Sequence, residues 1–406
     1  MNENRPPLLS VDDALARILS GINVQPEEPV SIADAHGRVL AADVSARMTQ
    51  PPFNASAMDG YAVRAGDVTT VPCSLTVIGE SAAGRPYEGS VAPGQAVRIF
   101  TGGVVPKGAD TVVIQENTKR DGDAVTVHEG ADAGTYVRPR GFDFSQGDVL
   151  LPRGRKLNAR DLSLAASMNV DKLPVRRKPV VAILATGDEL VMPGEEPAAG
   201  QIISSNPYAL SAMIGVAGGE PHRLGIARDT LESLDERIRD ARDADILLTI
   251  GGASVGEHDL VQQALSSAGM ELDFWKIAMR PGKPLMFGHL GKQCVLGLPG
   301  NPVSAIVCTR VFLFPVIEKM LGLDGSGTGL TSGLLAAPLE ANGPRQHYMR
   351  ATLEQDANTQ VRVRPVRSQD SSLLSPLSQA DCLIVRMPGA AAAAAGDEIS
   401  YLTLDF

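Results

Sequence analysis

Residues 246–256 read Ile246-Leu247-Leu248-Thr249-Ile250-Gly251-Gly252-Ala253-Ser254-Val255-Gly256. A continuous apolar run suits a parallel strand buried on both faces, because helices cover both sides of such a sheet. The glycines behind it let the backbone turn sharply and approach a ligand. The same pattern stands on either side. Upstream, Val180-Val181-Ala182-Ile183-Leu184 leads into Thr186-Gly187-Asp188-Glu189; downstream, Val295-Leu296-Gly297-Leu298 leads into Pro299-Gly300-Asn301-Pro302. Helices are expected from Ser204-Ser205-Asn206-Pro207 to about Val216, from Asp229 to about Arg242, from Glu257 to Ala268, and from Pro302 to about Leu321. Strand and helix in alternation predict a doubly wound α/β domain.

Outside this block the pattern changes. Val11, Ala14, Leu15, Ile18 and Leu19 recur at helical spacing, and Ser10 with Asp13 resembles a capping box. Between 50 and 140, short β-rich runs at 75–78, 96–99, 111–114 and 124–127 are divided by Gly, Pro and Asp, which predicts a small β-domain. A helix is expected over Asp161 to Met168, before the basic linker Arg176-Arg177-Lys178-Pro179. Residues 325–329 (Gly-Ser-Gly-Thr-Gly) read as a linker, and short β-runs return at 360–366, 382–385 and 398–402.

The formal net charge of −10 excludes an overall basic field of the kind that draws nucleic acid or an anionic membrane. An anionic substrate must then be held by a local cluster of cations and backbone amides. No apolar run approaches the roughly 18 residues that suggest a spanning helix. The candidate at 303–321 is broken by Arg310, Pro315, Glu318 and Lys319, and residues 1–7 lack a signal-peptide core. Cys73, Cys294, Cys308 and Cys382 lie far apart, which favours buried thiols over disulfides or a metal. Together these readings predict a cytoplasmic protein.

In open α/β sheets, ligands bind at the carboxyl ends of strands. Asn301 and Pro302 are expected to set free N–H groups and the positive end of a helix there, which suits phosphate or another anion. Asp188, Glu189 and Asp259 are candidate Mg²⁺ ligands. Lys276, Arg280 and Lys283 add cations on a turn shaped by Pro281, Gly282 and Pro284. Each loop alone reads most simply as a tight turn, and the cation run as a solvated hairpin. Three such loops at one sheet edge favour a binding site.

Competing motifs are incomplete. Gly252-Ala253-Ser254-Val255-Gly256 matches a hydrolase nucleophile elbow, but no acid and histidine follow in order. Gly282-Lys283 lacks the spacing of a phosphate-binding Walker loop. Two further loops, Pro51 to Ala62 around Asp59 and Phe100 to Asp110 around Thr101, read as turns by composition alone.

Taken together, the segments 53–62, 101–110, 185–190, 251–259, 280–284 and 298–304 resemble the molybdopterin molybdenumtransferases (MoeA family), relatives of the gephyrin C-terminal domain. The resemblance implies four parts: a helical segment (1–50 with 141–176), an inserted β-domain (51–140), the α/β molybdopterin-binding domain (177–325) and a small C-terminal β-barrel (326–406). It implies molybdenum insertion, in which adenylyl-molybdopterin and molybdate give molybdenum-molybdopterin and AMP, with Mg²⁺. It further implies a homodimer whose sites draw on both subunits, and other cofactor-biosynthesis proteins as partners. Pterin adenylylation, a tungsten-specific insertase and a non-enzymatic scaffold remain alternatives.

By the same resemblance, Asp59, Thr101, Asp143, Glu189, Asp229 and Asp259 are expected to be catalytic, with Glu189 and Asp259 as metal ligands. Substrate contacts are expected from Thr186, Gly187, Asp188, Ser205, Asn206, Gly251, Gly252, Ser254, Gly256, Lys276, Arg280, Lys283, Pro299, Gly300, Asn301, Pro302, Arg350 and Ser371. The chain departs from the family pattern at Ile250, Ala253, Phe142, Phe144, Arg280 and Asp370.

Overall fold

The apolar runs are buried strands. Val180–Thr186, Ile246–Ile250 and Gln293–Leu298 lie in one six-stranded sheet, almost entirely shielded from solvent. The computed structural model describes residues 8–252, 260–324, 329–355 and 359–406. It contains two compact units, Met1–Glu28 with Arg176–Phe406, and Pro29–Val175.

In the first unit the sheet runs Glu220–Ala227, Val180–Thr186, Ile246–Ile250, Gln293–Leu298, Met286–Leu290, Glu271–Trp275. The first four strands are parallel and the last two antiparallel. The chain leaves Val180–Thr186 for one neighbour, then returns to pair Ile246–Ile250 on its other side. That reversal is a topological switch point, where a crevice opens at the carboxyl ends. Helices Asn206–Ala217, Leu231–Asp240 and Leu260–Ser267 supply crossovers. Leu234, Ile238, Val261 and Leu265 pack with Ala182, Leu184, Leu247 and Val295 in one apolar core.

The helix expected from Pro302 is helical to Met320, but a π-helical segment, Thr309–Leu313, joins Pro302–Cys308 to Phe314–Met320. Helix Val11–Ser20 packs on Phe314–Met320 and is capped as expected, with the Asp13 N–H donating to Ser10 Oγ (3.0 Å). Leu330–Leu335, Gln346–Gln355, Val361–Pro365, Cys382–Arg386 and Glu398–Thr403 close into a five-stranded barrel, sealed by pairing of Gln346–Gln355 with Cys382–Arg386. The chain is thus a multidomain α/β plus β protein.

The second unit holds another six-stranded sheet, ordered Thr111–Ile114, Gly60–Val63, Gln95–Ile99, Cys73–Ser81, Ala124–Val127, Thr118–Asp121. Helix Ala159–Ser167 opens with a complete capping box between Asn158 and Asp161. All four cysteines are free, and burial pushes Cys294, Cys308 and Cys382 up to about 12, so these thiols stay protonated. None of the described helices is long and apolar enough to cross a membrane.

Gly60 sits mid-sheet where a Cβ would overlap the Val113 carbonyl oxygen. Gly60→Ala is expected to destabilise the Pro29–Val175 unit by roughly 3 kcal/mol, since the colliding atom is backbone and cannot swing away. Denaturant unfolding measures this, and an unchanged midpoint would refute the close approach.

Candidate active site

The four parallel strands are stitched together at their carboxyl ends. The Gly187 N–H donates to the Ala227 carbonyl (3.2 Å), the Thr186 hydroxyl to the Ile250 carbonyl (3.4 Å), and the Gly251 N–H to the Leu298 carbonyl (3.1 Å). Above this row lies a cleft of about 730 Å³, lined by Thr186, Glu189, Ser205, Asn206, Gly251, Gly252, Lys276, Lys283, Pro299, Gly300, Asn301 and Pro302. That volume falls within the roughly 300–1,000 Å³ of small-molecule sites. Gly251 has φ +98° and Gly252 +63°, backbone that favours glycine.

Side chains lock the loops to one another. Asn206 Nδ2 donates to the Gly300 carbonyl (2.7 Å). Asn301 Nδ2 donates to Ser371 Oγ (2.9 Å), and the Val303 N–H to the Ser371 carbonyl (3.1 Å). One N–H expected to await an anion at this helix start is therefore already taken, and Pro302 has none to offer. The Asp188 N–H donates to Asp229 Oδ2 (3.3 Å) and the Asp229 N–H to Asp188 Oδ1 (3.2 Å), so this pair clamps two loops. Glu189 stays exposed at the cleft, its carboxylate lying against Gly187.

Of the expected substrate contacts, Gly187, Asp188, Arg280, Arg350 and Ser371 do not themselves line the cleft. Arg350 is 1 % exposed, and its guanidinium donates to the carbonyls of Leu373 (2.8 Å), Ser368 (2.9 Å) and Asp370 (2.8 Å). These bonds to main chain hold the loop that carries Ser371 and Ser372. Arg280 does not line the cleft; its strand pairs with His347. Burial, then Arg280 and Arg345, pushes His347 down to about 4, so it is neutral near pH 7. Gly282, beside Arg280, fits against helix Pro302–Cys308, where a Cβ would stand 2.5 Å from Cys308 Sγ. Ser254, Gly256 and Asp259 lie outside the described residues, as does the departure at Ala253.

The cleft also has an apolar wall that the sequence reading missed, formed by Leu190, Ile202, Ile203 and Leu374. Ile202 and Ile203 are 58 % and 39 % exposed. Two adjacent isoleucines amid polar and small residues were the available signal.

In the Pro29–Val175 unit, Asp59 and Thr101 meet. The Thr101 N–H (2.7 Å) and hydroxyl (2.8 Å) both donate to Asp59 Oδ1. The Thr101 N–H, then its hydroxyl, and more weakly the Arg98 charge, hold the Asp59 carboxyl below the usual range against a smaller opposing effect of burial. Arg98 stacks on Tyr61 and Phe100 and donates to the Gly60 carbonyl (3.2 Å). Asp143 is exposed, and its N–H donates to the Gln50 carbonyl (3.0 Å), which sets its segment beside the loop leading to Asp59.

Three family models match the chain in order: the MoeA N-terminal region (domain I and II) over residues 9–169, a probable molybdopterin binding domain over 182–319, and the MoeA C-terminal region (domain IV) over 332–404. A molybdopterin molybdenumtransferase of Nostoc is 37 % identical over 389 residues, 94 % of this chain and 89 % of the relative. One from Haemophilus influenzae is 33 % identical over 382 residues, 93 % of this chain and 94 % of the relative. The chain belongs to the MoeA family. The crystal structure of the molybdopterin biosynthesis MoeA protein from Pyrococcus horikoshii superposes with a TM-score of 0.86 at 29 % identity, covering 98 % of this chain and all of that one.

Within the MoeA pattern, the departure at Asp370 carries its own local order. Asp370 Oδ1 accepts from the Ser372 N–H (2.9 Å) and hydroxyl (2.7 Å), which hold its carboxyl below the usual range, the N–H foremost. Ile250 is buried in the sheet, and its carbonyl accepts from the Thr186 hydroxyl. Phe144 enters a core cluster, whereas Phe142 is 67 % exposed.

Thr101→Val keeps the N–H at Asp59 and deletes the hydroxyl. Hydrogen bonds to the charged form lower a carboxyl pKa, so the Asp59 pKa is expected to rise toward its ordinary value. Any acid limb of activity that reports Asp59 then moves to higher pH. Carboxyl NMR titration of both proteins decides it; identical titrations would remove the hydroxyl from the account.

Proposed function

We propose that this chain is a cytoplasmic molybdopterin molybdenumtransferase that converts adenylyl-molybdopterin and molybdate into molybdenum-molybdopterin and AMP. The observation that carries the reading is the cleft at the switch point, where Lys276 and Lys283 share one lining with the glycine-rich strand ends and Glu189. Cations and close backbone suit the phosphates of an adenylylated pterin, and the wall of Leu190, Ile202, Ile203 and Leu374 suits a flat ring system. Catalysis then rests on orienting the pyrophosphate bond and neutralising charge as it breaks.

Mg²⁺ belongs to this proposal. It commonly takes one or two carboxylates and fills its remaining positions with water and substrate phosphate oxygens. Among the described residues no three His, Cys, Asp or Glu side chains form a cage, and the exposed carboxylate of Glu189 fits the sparse donor set that Mg²⁺ uses. Glu189 and Asp259 would hold the ion, which supplies charge neutralisation at the phosphates. Asp229, clamped to Asp188, keeps the Glu189 loop in place. Asp59, Thr101 and Asp143 complete the catalytic set, in a homodimer, with the four-part division read from the sequence.

Purified protein given adenylyl-molybdopterin, Mg²⁺ and molybdate is expected to release AMP as metal enters the dithiolene. Tungstate in a parallel reaction tests metal choice. Glu189→Gln should lower kcat/KM by roughly a hundredfold, and excess chelator should stop turnover. AMP release unaffected by either treatment would overturn the Mg²⁺ assignment, and no AMP release with any oxyanion would overturn the function.

The homodimer has its own test. Asp59→Ala and Glu189→Ala proteins, each inactive, are mixed until mass-labelled protomers show full exchange. If each site combines the two residues from different subunits, about a quarter of the sites carry neither lesion, and activity returns to that level. A fully exchanged, inactive mixture would refute shared sites, once a wild-type/variant mixture shows no dominant damage.

A further inference from the structure

Lys276 and Lys283 both line the cleft, so two like charges face one space. A lysine free on its stem samples many rotamers, and ordering it costs conformational entropy. Lys276 is restrained in two ways. Its backbone is left-handed, φ +76°, a region uncommon for residues other than glycine. Its N–H donates to the Leu285 carbonyl (2.9 Å), and the next N–H, from Ile277, to the Lys283 carbonyl (2.9 Å). These bonds hold the turn. Its Nζ then stands 4.1 Å from the centroid of the Trp275 ring.

Neighbouring residues in a strand normally point to opposite faces. Trp275 ends strand Glu271–Trp275, opposite Met286, and packs half-buried against the α/β core. The left-handed residue directly after it breaks the alternation and brings the Lys276 side chain back over the ring of its own neighbour. A strained backbone position and a cation–π contact thus act on the same cleft-lining lysine.

We propose that Trp275 is a positioning residue for the transferase: its ring face holds the Lys276 ammonium in the cleft, already ordered for the anionic part of the substrate. This rests on the reading of Lys276 as a substrate contact, so the test has one arm that needs no turnover. The chain contains one tryptophan, so its fluorescence reports the surroundings of this ring. A cation over the ring perturbs the emission. Lys276→Met is therefore expected to change the emission maximum or yield of the intact protein, and Lys283→Met to leave both as in wild type. Emission unchanged in Lys276→Met would overturn the pairing.

The second arm compares Trp275→Leu with Trp275→Phe. Leucine fills apolar volume without a π face, whereas phenylalanine keeps a weaker one. Trp275→Leu should lower kcat/KM roughly five- to tenfold, and Trp275→Phe should recover most of it at the same melting temperature. Equal activity in both variants and wild type would overturn the positioning role. So would equal losses in both that track a lowered melting temperature, since packing alone would then account for them. Should the wild type show no transferase activity, the proposed function fails, while the fluorescence arm still decides the Trp275–Lys276 pair.

Discussion

A Cβ on Gly251 would stand 2.8 Å from the Thr186 carbonyl oxygen and 2.9 Å from its hydroxyl. Without that atom, the ends of two adjacent strands come together and the Thr186 hydroxyl reaches the Ile250 carbonyl. The positive φ at Gly251 turns the chain away from the sheet while its N–H still reaches Leu298. The switch point would exist without this contact, because strand order creates it, but the loops above would be splayed. Gly300 is next in the row: a Cβ there would sit 3.8 Å from the Gly251 Cα, ordinary contact. At Gly251 and Gly300 the cleft floor is therefore backbone.

Such a floor would be loose without anchors, because glycine-rich loops lose more conformational freedom on folding than any others. The anchors are polar side chains that end on main chain: Asn206 on Gly300, Arg228 on Asp188 and Leu190, and Arg350 on three carbonyls of 368–373. Arg350 is the costliest to bury, and burial accordingly lowers its pKa, with Asp370 acting in the opposite direction. A buried cation is tolerable when several acceptors converge on it. Here the convergence fixes the barrel loop from which Ser371 accepts from Asn301. The barrel thus helps to hold the helix entry at Asn301.

In the α/β sheet, the strands legible in the sequence were three that are buried on both faces. Val180–Thr186, Ile246–Ile250 and Gln293–Leu298 announce themselves as apolar runs because helices cover both sides. Glu220–Ala227 was missed because it is an edge strand whose first half, Glu-Pro-His-Arg, faces solvent. Glu271–Trp275 was missed for the same reason. The π-helical segment Thr309–Leu313 was read as part of one continuous helix from Pro302 to about Leu321. At the site, the loops and the two cleft lysines were readable as chemistry. Arg350 was not, because its partners are carbonyls 18 to 23 residues away, which every residue type possesses. The Asp59–Thr101 contact spans 42 residues and joins two stretches that each read as an ordinary turn; only the family pattern singled them out.

The charge balance explains why so much precision is spent on so few cations. The chain carries a net −10, so an anionic substrate approaching from solution is repelled on average. At physiological ionic strength that repulsion fades beyond about 8 Å, and inside the cleft only the nearest charges count. Two lysines there cannot create a broad field. They can act only where they stand, and a misplaced ammonium loses most of its value within a few ångströms because water screens it. On the proposed reading of both lysines as substrate contacts, Lys276 held by a left-handed backbone and an aromatic face, and Lys283 on a turn fitted against helix Pro302–Cys308 through Gly282, would turn weak net electrostatics into directed contacts. On that reading, selectivity follows from placement: an anion whose charges match those two positions is favoured.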